Sequence, residues 1–276
     1  MLINTGNISR KVLSKVLRSF DKNFERLQEE MFRFIYVIMM NVFRAPYMIP
    51  KMRYMAQHPE KYSEEQRYQM VTHMIYLMQR SGRISTVYTG AENLPKEGGY
   101  IMYPNHQGKY DALGIIASHA APCSLVMDRN KSNGLLVKEF VDLLCGKRMD
   151  IKDVRQAMKI ILEISEEAAK GKRFILFPEG GYDHNRNTVE DFKAGSFKSA
   201  VRAKVPIVPV ALIDSYKVFN SFGFGKVTTQ VHFLEPIPYE EYQGMKTFEI
   251  AALVKSRIEA VIEEKTTGES AKKRED

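Results

Sequence analysis

Cysteine is scarce in this sequence, with only Cys123 and Cys145 among its 276 residues. The two lie far apart and belong to no CxxC or clustered Cys/His pattern. The sequence therefore predicts neither a disulfide framework nor a zinc site. We expect both side chains to be buried free thiols in a protein of a reducing compartment.

Long apolar runs are missing as well. The nearest candidate, FIYVIMMNVF from Phe34 to Phe43, is interrupted by Asn41. It is about half as long as the roughly 18 apolar residues that a membrane-spanning helix needs. The amino-terminal residues show no apolar segment followed by a small-residue cleavage site, so we expect no secretory signal peptide.

Acidic residues are absent between Met31 and Pro59. The segment contains the basic residues Arg33, Arg44, Lys51 and Arg53 and the methionines Met31, Met39, Met40, Met48, Met52 and Met55. One interpretation is a helical hairpin packed on the core, in which methionine fills gaps. The other is an interfacial anchor, with apolar side chains in lipid and basic ones at anionic headgroups.

Two further patterns belong to this amino-terminal part. A charged stretch before the segment has apolar residues at helical spacing, namely Val12, Leu13, Val16, Leu17 and Phe20. Within the segment, Pro46 and Pro50 are expected to divide the chain into two short helices.

The formal net charge of +8 suits a nucleic acid, an anionic membrane or a phosphorylated substrate. The basic residues are interleaved with acids and no nucleic-acid recognition motif is present, so we expect no nucleic-acid partner.

Strand-like and helix-like segments alternate after residue 82. This pattern predicts an α/β fold with a largely parallel central sheet flanked by helices, preceded by an N-terminal helical membrane-associating hairpin. The predicted parts are an anchoring element at 1–60, an α/β domain at 61–265 and a disordered tail at 266–276. In such sheets ligands bind where the carboxyl ends of strands lead into helices.

His106 and Asp111 follow a predicted strand in the stretch YPNHQGKYDALG. If a helix begins near Asp111, the loop can turn the histidine back toward the carboxylate, which would fix its tautomer. The other ring nitrogen could then take a proton from a hydroxyl of a substrate. The alternative is a surface histidine beside a helix-capping aspartate.

A second polar loop, PEGGYDHNRN, follows another predicted strand. Gly180 and Gly181 would let backbone N–H groups approach an anion, and Glu179 could bind a hydroxyl or hold the loop. Arg186 and Lys193 supply positive charge nearby. The alternative is an ordinary turn with solvated charges.

The order of NHQGKYD, FPEGG and VPIVPVAL resembles the PlsC-type glycerophospholipid acyltransferases, which include 1-acylglycerol-3-phosphate acyltransferases. The resemblance covers roughly residues 88–238. It implies that His106 is a general base, that Asp111 orients it, and that Glu179 and Gly180 help to bind a glycerol phosphate acceptor. The segment from Pro206 to Pro209 would border the acyl site.

The resemblance also implies a reaction and its setting. The enzyme would move a fatty acyl group from an acyl carrier protein or coenzyme A thioester to the sn-2 hydroxyl of a lysophosphatidic acid-like lipid. No metal or other cofactor is expected. The protein would lie at the cytoplasmic face of the membrane, peripheral or monotopic, against an anionic lipid surface.

Two motifs depart from the family pattern. The third motif usually continues Glu-Gly-Thr-Arg-Ser, but here it continues Glu179-Gly180-Gly181-Tyr182-Asp183. The second usually ends Phe-Ile-Asp-Arg, and here GKRMD offers Arg148 in a shifted position. The phosphate-binding cation therefore remains open among Arg148, Arg186 and Lys193. Glycerol 3-phosphate or another lysophospholipid is an alternative acceptor, and a non-catalytic lipid-binding protein is the alternative of another class.

Overall fold

The structure, a computed structural model, describes residues 32–134, 136–183, 185–219 and 223–275. The helical stretch predicted around Val12 to Phe20 lies outside these residues.

A seven-stranded sheet forms the centre of the described chain. Its strands are β1 (Ile84–Thr89), β2 (Tyr100–Pro104), β3 (Ser124–Asp128), β4 (Lys147–Met149), β5 (Arg173–Ile175), β6 (Ile207–Ile213) and β7 (Val227–Phe233). They are arranged in the order β1-β7-β6-β2-β5-β3-β4. All neighbours are parallel except β6 and β7, which are antiparallel. The prediction of a largely parallel sheet is confirmed.

Helices cover both faces of the sheet. They are α1 (residues 32–40), α2 (Ala45–Gln57), α3 (Glu64–Gly82), α4 (Asp111–Ser118), α5 (Val137–Leu143), α6 (Val154–Ala169), α7 (Lys198–Ala203), α8 (Tyr239–Tyr242) and α9 (Thr247–Glu275). Buried residues of α2 to α5 share one apolar core, and those of α6, α7 and α9 share the other.

Strand β2 shows how the sequence specifies a buried central position. All of its residues are buried, as are all those of β6. Met102 points into the core with α2 to α5, whereas Ile101 and Tyr103 belong to the core on the other face. A strand covered on both faces is apolar throughout rather than alternating. The parallel neighbours β5, β2 and β6 then end at the same edge of the sheet.

The amino-terminal helices are held to the domain by Arg33. Its side chain is 3% exposed and donates to the carbonyl oxygens of Gly82 at 2.8 Å, Gly225 at 2.8 Å and Gly223 at 3.0 Å. Arg33 is therefore a buried anchor to the protein, and the interpretation that placed it at lipid headgroups is wrong for this residue.

The chain turns between α1 and α2 over residues 41–44. The predicted division at the two prolines is wrong, because Pro46 lies in the first turn of α2 and Pro50 lies inside that helix. Proline needs no N–H partner in a first turn, so Pro46 suits the helix start.

The side chains of the Met-rich segment divide into a buried group and an exposed group. Met48, Met52 and Met55 are buried in the core, as gap-filling predicts. The most exposed large apolar side chains of the segment, each at least half exposed, are called the apolar rim here: Ile35, Met39, Met40, Phe43 and Tyr47. None of the helices within the described ranges is long and apolar enough to cross a membrane.

Two expectations differ from the structure at other places. The tail predicted as disordered over 266–276 continues α9 as far as Glu275. Extending an existing helix costs little when the residues are good helix formers such as Ala, Lys, Glu and Arg. Of the two cysteines, Cys123 is buried, but Cys145 is exposed, with the Arg67 guanidinium beside its sulfur.

Replacing Arg33 tests its anchoring role. Arg33→Met removes three hydrogen bonds and leaves buried carbonyls without a partner, so we expect the free energy of unfolding to fall by about 2–4 kcal/mol. The exposed Arg44, which bonds only to the side chain of Asn41, is the matched control. Arg44→Met should change stability by less than about 0.5 kcal/mol in the same denaturation experiment. Equal losses in both variants would contradict the assignment.

Candidate active site

His106 and Asp111 meet at the carboxyl end of β2. The strand ends at Pro104 and α4 begins at Asp111, so the loop between them is short. His106 Nδ1 lies 2.6 Å from Asp111 Oδ2. The imidazole is 18% exposed, whereas the carboxylate is fully buried. The structure thus brings together the two residues that the sequence singled out.

The Asp111 carboxylate receives four hydrogen bonds. On Oδ2 it accepts from the His106 ring and from the backbone N–H groups of Gln107 at 2.5 Å and Gly108 at 2.9 Å. On Oδ1 it accepts from the hydroxyl of Ser215. Both oxygens of the buried carboxylate are therefore occupied as hydrogen-bond acceptors. A carboxylate that accepts from Nδ1 of His106 favours the tautomer with the proton on that nitrogen.

That tautomer leaves Nε2 of His106 as a proton acceptor. Within the described parts of the chain, no side chain or backbone group donates to Nε2. The ring stacks on Phe177, with centroids 4.2 Å apart, and meets the edge of Tyr182 at 4.6 Å. The histidine is therefore held in place with one nitrogen available for a ligand.

Two amides join the His106 loop to strand β6. The side chain of Asn105 accepts from the Leu212 N–H at 2.7 Å and donates to the Leu212 carbonyl at 3.1 Å. Gln107 donates to the same carbonyl at 2.7 Å and accepts from the backbone N–H of Ser215 at 3.1 Å. Asn105, Gln107 and Ser215 were not predicted from the sequence. Two amides on either side of His106, directly after an apolar strand, are the signal that could have revealed the first two.

Gly108 fits the loop for a reason other than a left-handed turn. It is not among the glycines with positive φ, but a Cβ there would lie 3.3 Å from Cα of Tyr216. The close approach of the chain after β6 therefore favours glycine.

Glu179 holds the loop after β5 against the His106 loop. Its side chain is 5% exposed, and Oε1 accepts from the backbone N–H of His106 at 3.0 Å. Asn185 Nδ2 donates to the carbonyl of His106 at 2.8 Å and to that of Thr188 at 3.0 Å. In this structure Glu179 organises the backbone around His106.

Burial changes the acidity of Glu179. Loss of hydration raises its pKa from 4.5 to about 8, against the lowering effect of the His106 N–H. The nearby negative charges of Glu190 and Asp111 raise the pKa of Glu179 further. The carboxyl is therefore largely protonated at neutral pH, which suits a group enclosed without a cation.

The predicted cations occupy different places. Arg148 pairs with Asp142 at 2.6 Å, away from His106. Arg186 is exposed, with a positive φ of 51°. Lys193 lies beside Gly180, which has a φ of +73° and whose Cβ, if present, would lie within 2.4 Å of the Lys193 ammonium.

A cavity of about 550 Å³ opens beside the histidine. His106, Gly180 and Gly181 are in its wall, and none of Arg148, Arg186 and Lys193 is. The rest of the wall is mainly apolar and includes Phe34, Leu113, Ile116, Leu125, Phe140 and Leu144. No residue from Pro206 to Pro209 lies in the described lining, so the structure does not place that segment at this cavity.

The arrangement defines a class of protein. A histidine oriented by a buried carboxylate can act as a general base, and the apolar cavity beside it can hold a hydrocarbon chain. In the described residues no serine, threonine or cysteine side chain hydrogen-bonds to His106, so the reacting hydroxyl would come from a ligand. These features are those of an α/β protein with a candidate general base beside an apolar ligand cavity.

Comparison with known proteins identifies the family. The family model for acyltransferases matches residues 83–213, which include β1 to β6. The 1-acyl-sn-glycerol-3-phosphate acyltransferase alpha of Ovis aries is 30% identical over 192 residues, which are 67% of this chain and 62% of that protein. The 1-acyl-sn-glycerol-3-phosphate acyltransferase of Saccharomyces cerevisiae is 28% identical over 179 residues, or 63% of this chain and 59% of that one. The chain belongs to the PlsC-type acyltransferase family.

The similarity covers part of each relative's sequence and extends to the fold of a solved structure. The chain spans about three fifths of the length of the curated relatives it matches. The crystal structure of the 1-acyl-sn-glycerophosphate (LPA) acyltransferase PlsC from Thermotoga maritima has a TM-score of 0.64 to this structure at 20% identity. That likeness covers 88% of this chain and 97% of the other, and it shows a common fold.

The raised pKa of Glu179 predicts a pH dependence. Between about pH 4.5 and pH 8 the folded state keeps a proton that the unfolded state has lost, so this group's contribution to stability falls as pH rises. Between about pH 5.5 and pH 8.5, wild type should lose a few kcal/mol of unfolding free energy relative to Glu179→Gln, which mimics the protonated side chain. Denaturation of both proteins across this range measures it. Parallel pH curves would show that Glu179 has an ordinary pKa.

Proposed function

We propose that this protein is a 1-acylglycerol-3-phosphate O-acyltransferase, which forms phosphatidic acid from a lysophosphatidic acid-like acceptor and a fatty acyl thioester. The observation that carries the proposal is the His106–Asp111 pair in the wall of an apolar cavity. The printed names of the curated relatives support the acceptor.

The chemistry needs one base and a good leaving group. Nε2 of His106 takes the proton of the sn-2 hydroxyl as the oxygen attacks the thioester carbonyl carbon. The new C–O bond forms and the C–S bond breaks. The thiolate of the donor then takes the proton back from the imidazolium, whose charge Asp111 stabilises. In this proposal the acyl carrier protein or coenzyme A thioester is a co-substrate, and no other cofactor takes part.

The cavity supplies a reason for a fatty acyl substrate. Each methylene that leaves water for an apolar site contributes about 0.8 kcal/mol, so a long alkyl chain binds strongly there. The chain would lie beside the ring of His106, because His106 shares the wall with Leu113 and Phe140.

Replacing the base tests the catalytic role. His106→Ala should lower acyl transfer by about 10²–10⁴-fold, because general base catalysis contributes that much. Product phosphatidic acid is measured by mass spectrometry with purified protein, lysophosphatidic acid, glycerol 3-phosphate and other lysophospholipids as acceptors, and both types of thioester as donors. The exposed His73 on α3 is the matched control, and His73→Ala should transfer at the wild-type rate.

The wild type and the His106→Ala variant must also be compared for folding. His106→Ala should keep the far-UV circular dichroism spectrum of the wild type but unfold at a somewhat lower temperature, because it removes one of the four donors to the buried Asp111 carboxylate. A folded His106→Ala protein with normal turnover would refute the assignment. Lipid binding without product from wild type would favour the non-catalytic alternative.

We further propose that the protein works at the cytoplasmic surface of a membrane. Arg44 and Lys51 are exposed on the same two-helix element as the apolar rim. Apolar side chains flanked by basic ones suit the boundary between acyl chains and anionic headgroups. A lipid acceptor and water-soluble thioester donors would meet at that boundary.

Phe43 tests the membrane contact because its side chain is 95% exposed. Phe43→Ser should weaken binding to vesicles of phosphatidylcholine with phosphatidylglycerol about tenfold or more, since burial of a phenylalanine side chain contributes about 1.5–3 kcal/mol. Phe248, 59% exposed on α9, is the matched control. Sedimentation of vesicles with each variant measures the affinity. If Phe248→Ser weakens binding as much as Phe43→Ser, the rim is not the contact.

A further inference from the structure

Tyr182 occupies the place at which the family's third motif has an arginine, and a lysine from another part of the chain lies over its ring. The Nζ of Lys131 is 5.3 Å from the centroid of the Tyr182 ring. That distance is within the range of a cation–π interaction. The edge of the same ring meets His106 at 4.6 Å. The Tyr182 ring thus lies between the Lys131 ammonium group and the His106 imidazole.

Lys131 and Lys109 both line the cavity that contains His106. Lys109 lies in the loop between His106 and Asp111, and Lys131 lies in a short turn just after β3. Both are exposed, and neither forms an ion pair with an acid among the residues that the structure describes. By contrast, Arg148 is already paired with Asp142.

The other polar groups of the wall are compatible with an anion. Asp128 also lines the cavity, but its Oδ1 accepts from the backbone N–H groups of Asn130 and Lys131 and so closes its own turn. Gly181 lines the cavity too, and a Cβ there would meet nothing within 4 Å. Space for a ligand group is therefore present next to Tyr182.

We infer that Lys131 and Lys109 hold the phosphate of the acceptor, with Tyr182 positioning Lys131 in place of the family's arginine. This inference rests on the proposed function, because it assigns the acceptor site of that reaction. Arg148, Arg186 and Lys193, which the sequence offered for this role, lie outside the wall of the cavity.

Two ammonium groups have a consequence for selectivity. An arginine grips a phosphate with a fixed fork of donors, whereas a lysine acts as a point charge on a flexible stem. Recognition by two point charges depends mainly on the charge of the ligand. Acceptors with a phosphomonoester should therefore bind more tightly than phosphodiester lysolipids, and neutral monoacylglycerol should bind most weakly.

The experiment measures equilibrium binding and turnover with the same proteins. Lysophosphatidic acid, lysophosphatidylglycerol and monoacylglycerol of one chain length are titrated in mixed micelles against wild type, Lys131→Gln and Lys131→Arg. Lys131→Gln should weaken binding of lysophosphatidic acid roughly 10- to 100-fold, the usual effect of losing a hydrogen bond to a charged group. Binding of monoacylglycerol should not change, and Lys131→Arg should restore most of the affinity.

Kinetics and two other variants complete the design. In turnover assays Lys131→Gln should raise KM for lysophosphatidic acid and leave kcat and the KM of the donor near wild type. Lys170→Gln removes one exposed charge directly after α6, at a position outside the cavity wall, and should bind every acceptor as wild type does. Arg186→Gln tests whether Arg186 binds the phosphate instead of Lys131.

The outcomes separate the inference from the proposed function. Unchanged affinity in Lys131→Gln, or a selective loss in Arg186→Gln instead, would overturn the inference while leaving acyl transfer intact. A wild-type protein that binds lysophosphatidic acid through Lys131 but forms no product would uphold the inference as a binding site and refute the proposed reaction. If Lys131→Gln weakened the binding of charged and neutral acceptors equally, the substitution would be acting on the structure of the site. That result would also overturn the inference.

Discussion

The buried Asp111 carboxylate is the constraint on which the site depends. A buried carboxylate without partners would be costly, so its four donors must stay in place together. Those donors come from the His106 ring, two backbone N–H groups of the loop after β2, and Ser215 after β6. Satisfying one charged group therefore fixes the shape of one loop, its distance from a second loop and the tautomer of the histidine.

The parallel sheet makes this convergence possible. Because β5, β2 and β6 are neighbours that run in the same direction, the loops after them meet at one edge without any long excursion of the chain. Asn105 pairs with both backbone groups of Leu212, and Glu179 accepts from the backbone N–H of His106. The His106 imidazole is thus positioned by strands on both sides, whereas Lys109 and Lys131 of the cavity wall project from exposed positions. If His106 is the base as proposed, such a site can keep its chemistry while the contacts to the acceptor vary.

Features that follow from local pattern could be predicted from the sequence, and those that follow from distant pairings could not. Strands β2 and β5 each lead through apolar residues into a polar loop, which is why the ends of these strands, and with them His106 and Glu179, were placed correctly. Arg33 looked like other basic residues of its segment, since its three carbonyl partners lie in glycines far along the chain. Arg148 was a candidate for phosphate because it lies near the place of the arginine in the family's second motif, and its pairing with Asp142 is a contact that sequence spacing does not show.

Helix α1 relates the proposed membrane contact to the cavity. Phe34 lines the cavity and packs edge-on against Phe219, with ring centroids 5.3 Å apart, while the next residue, Ile35, is exposed in the apolar rim. Neighbouring residues of a helix point in different directions, so one helix presents apolar side chains both to the cavity and to the outside. Because Arg33 fixes this helix to the domain, the two surfaces stay in a constant relation. If the rim lies in the lipid boundary as proposed, α1 places the apolar cavity and the bilayer on either side of one helix, with Phe34 toward the first and Ile35 toward the second.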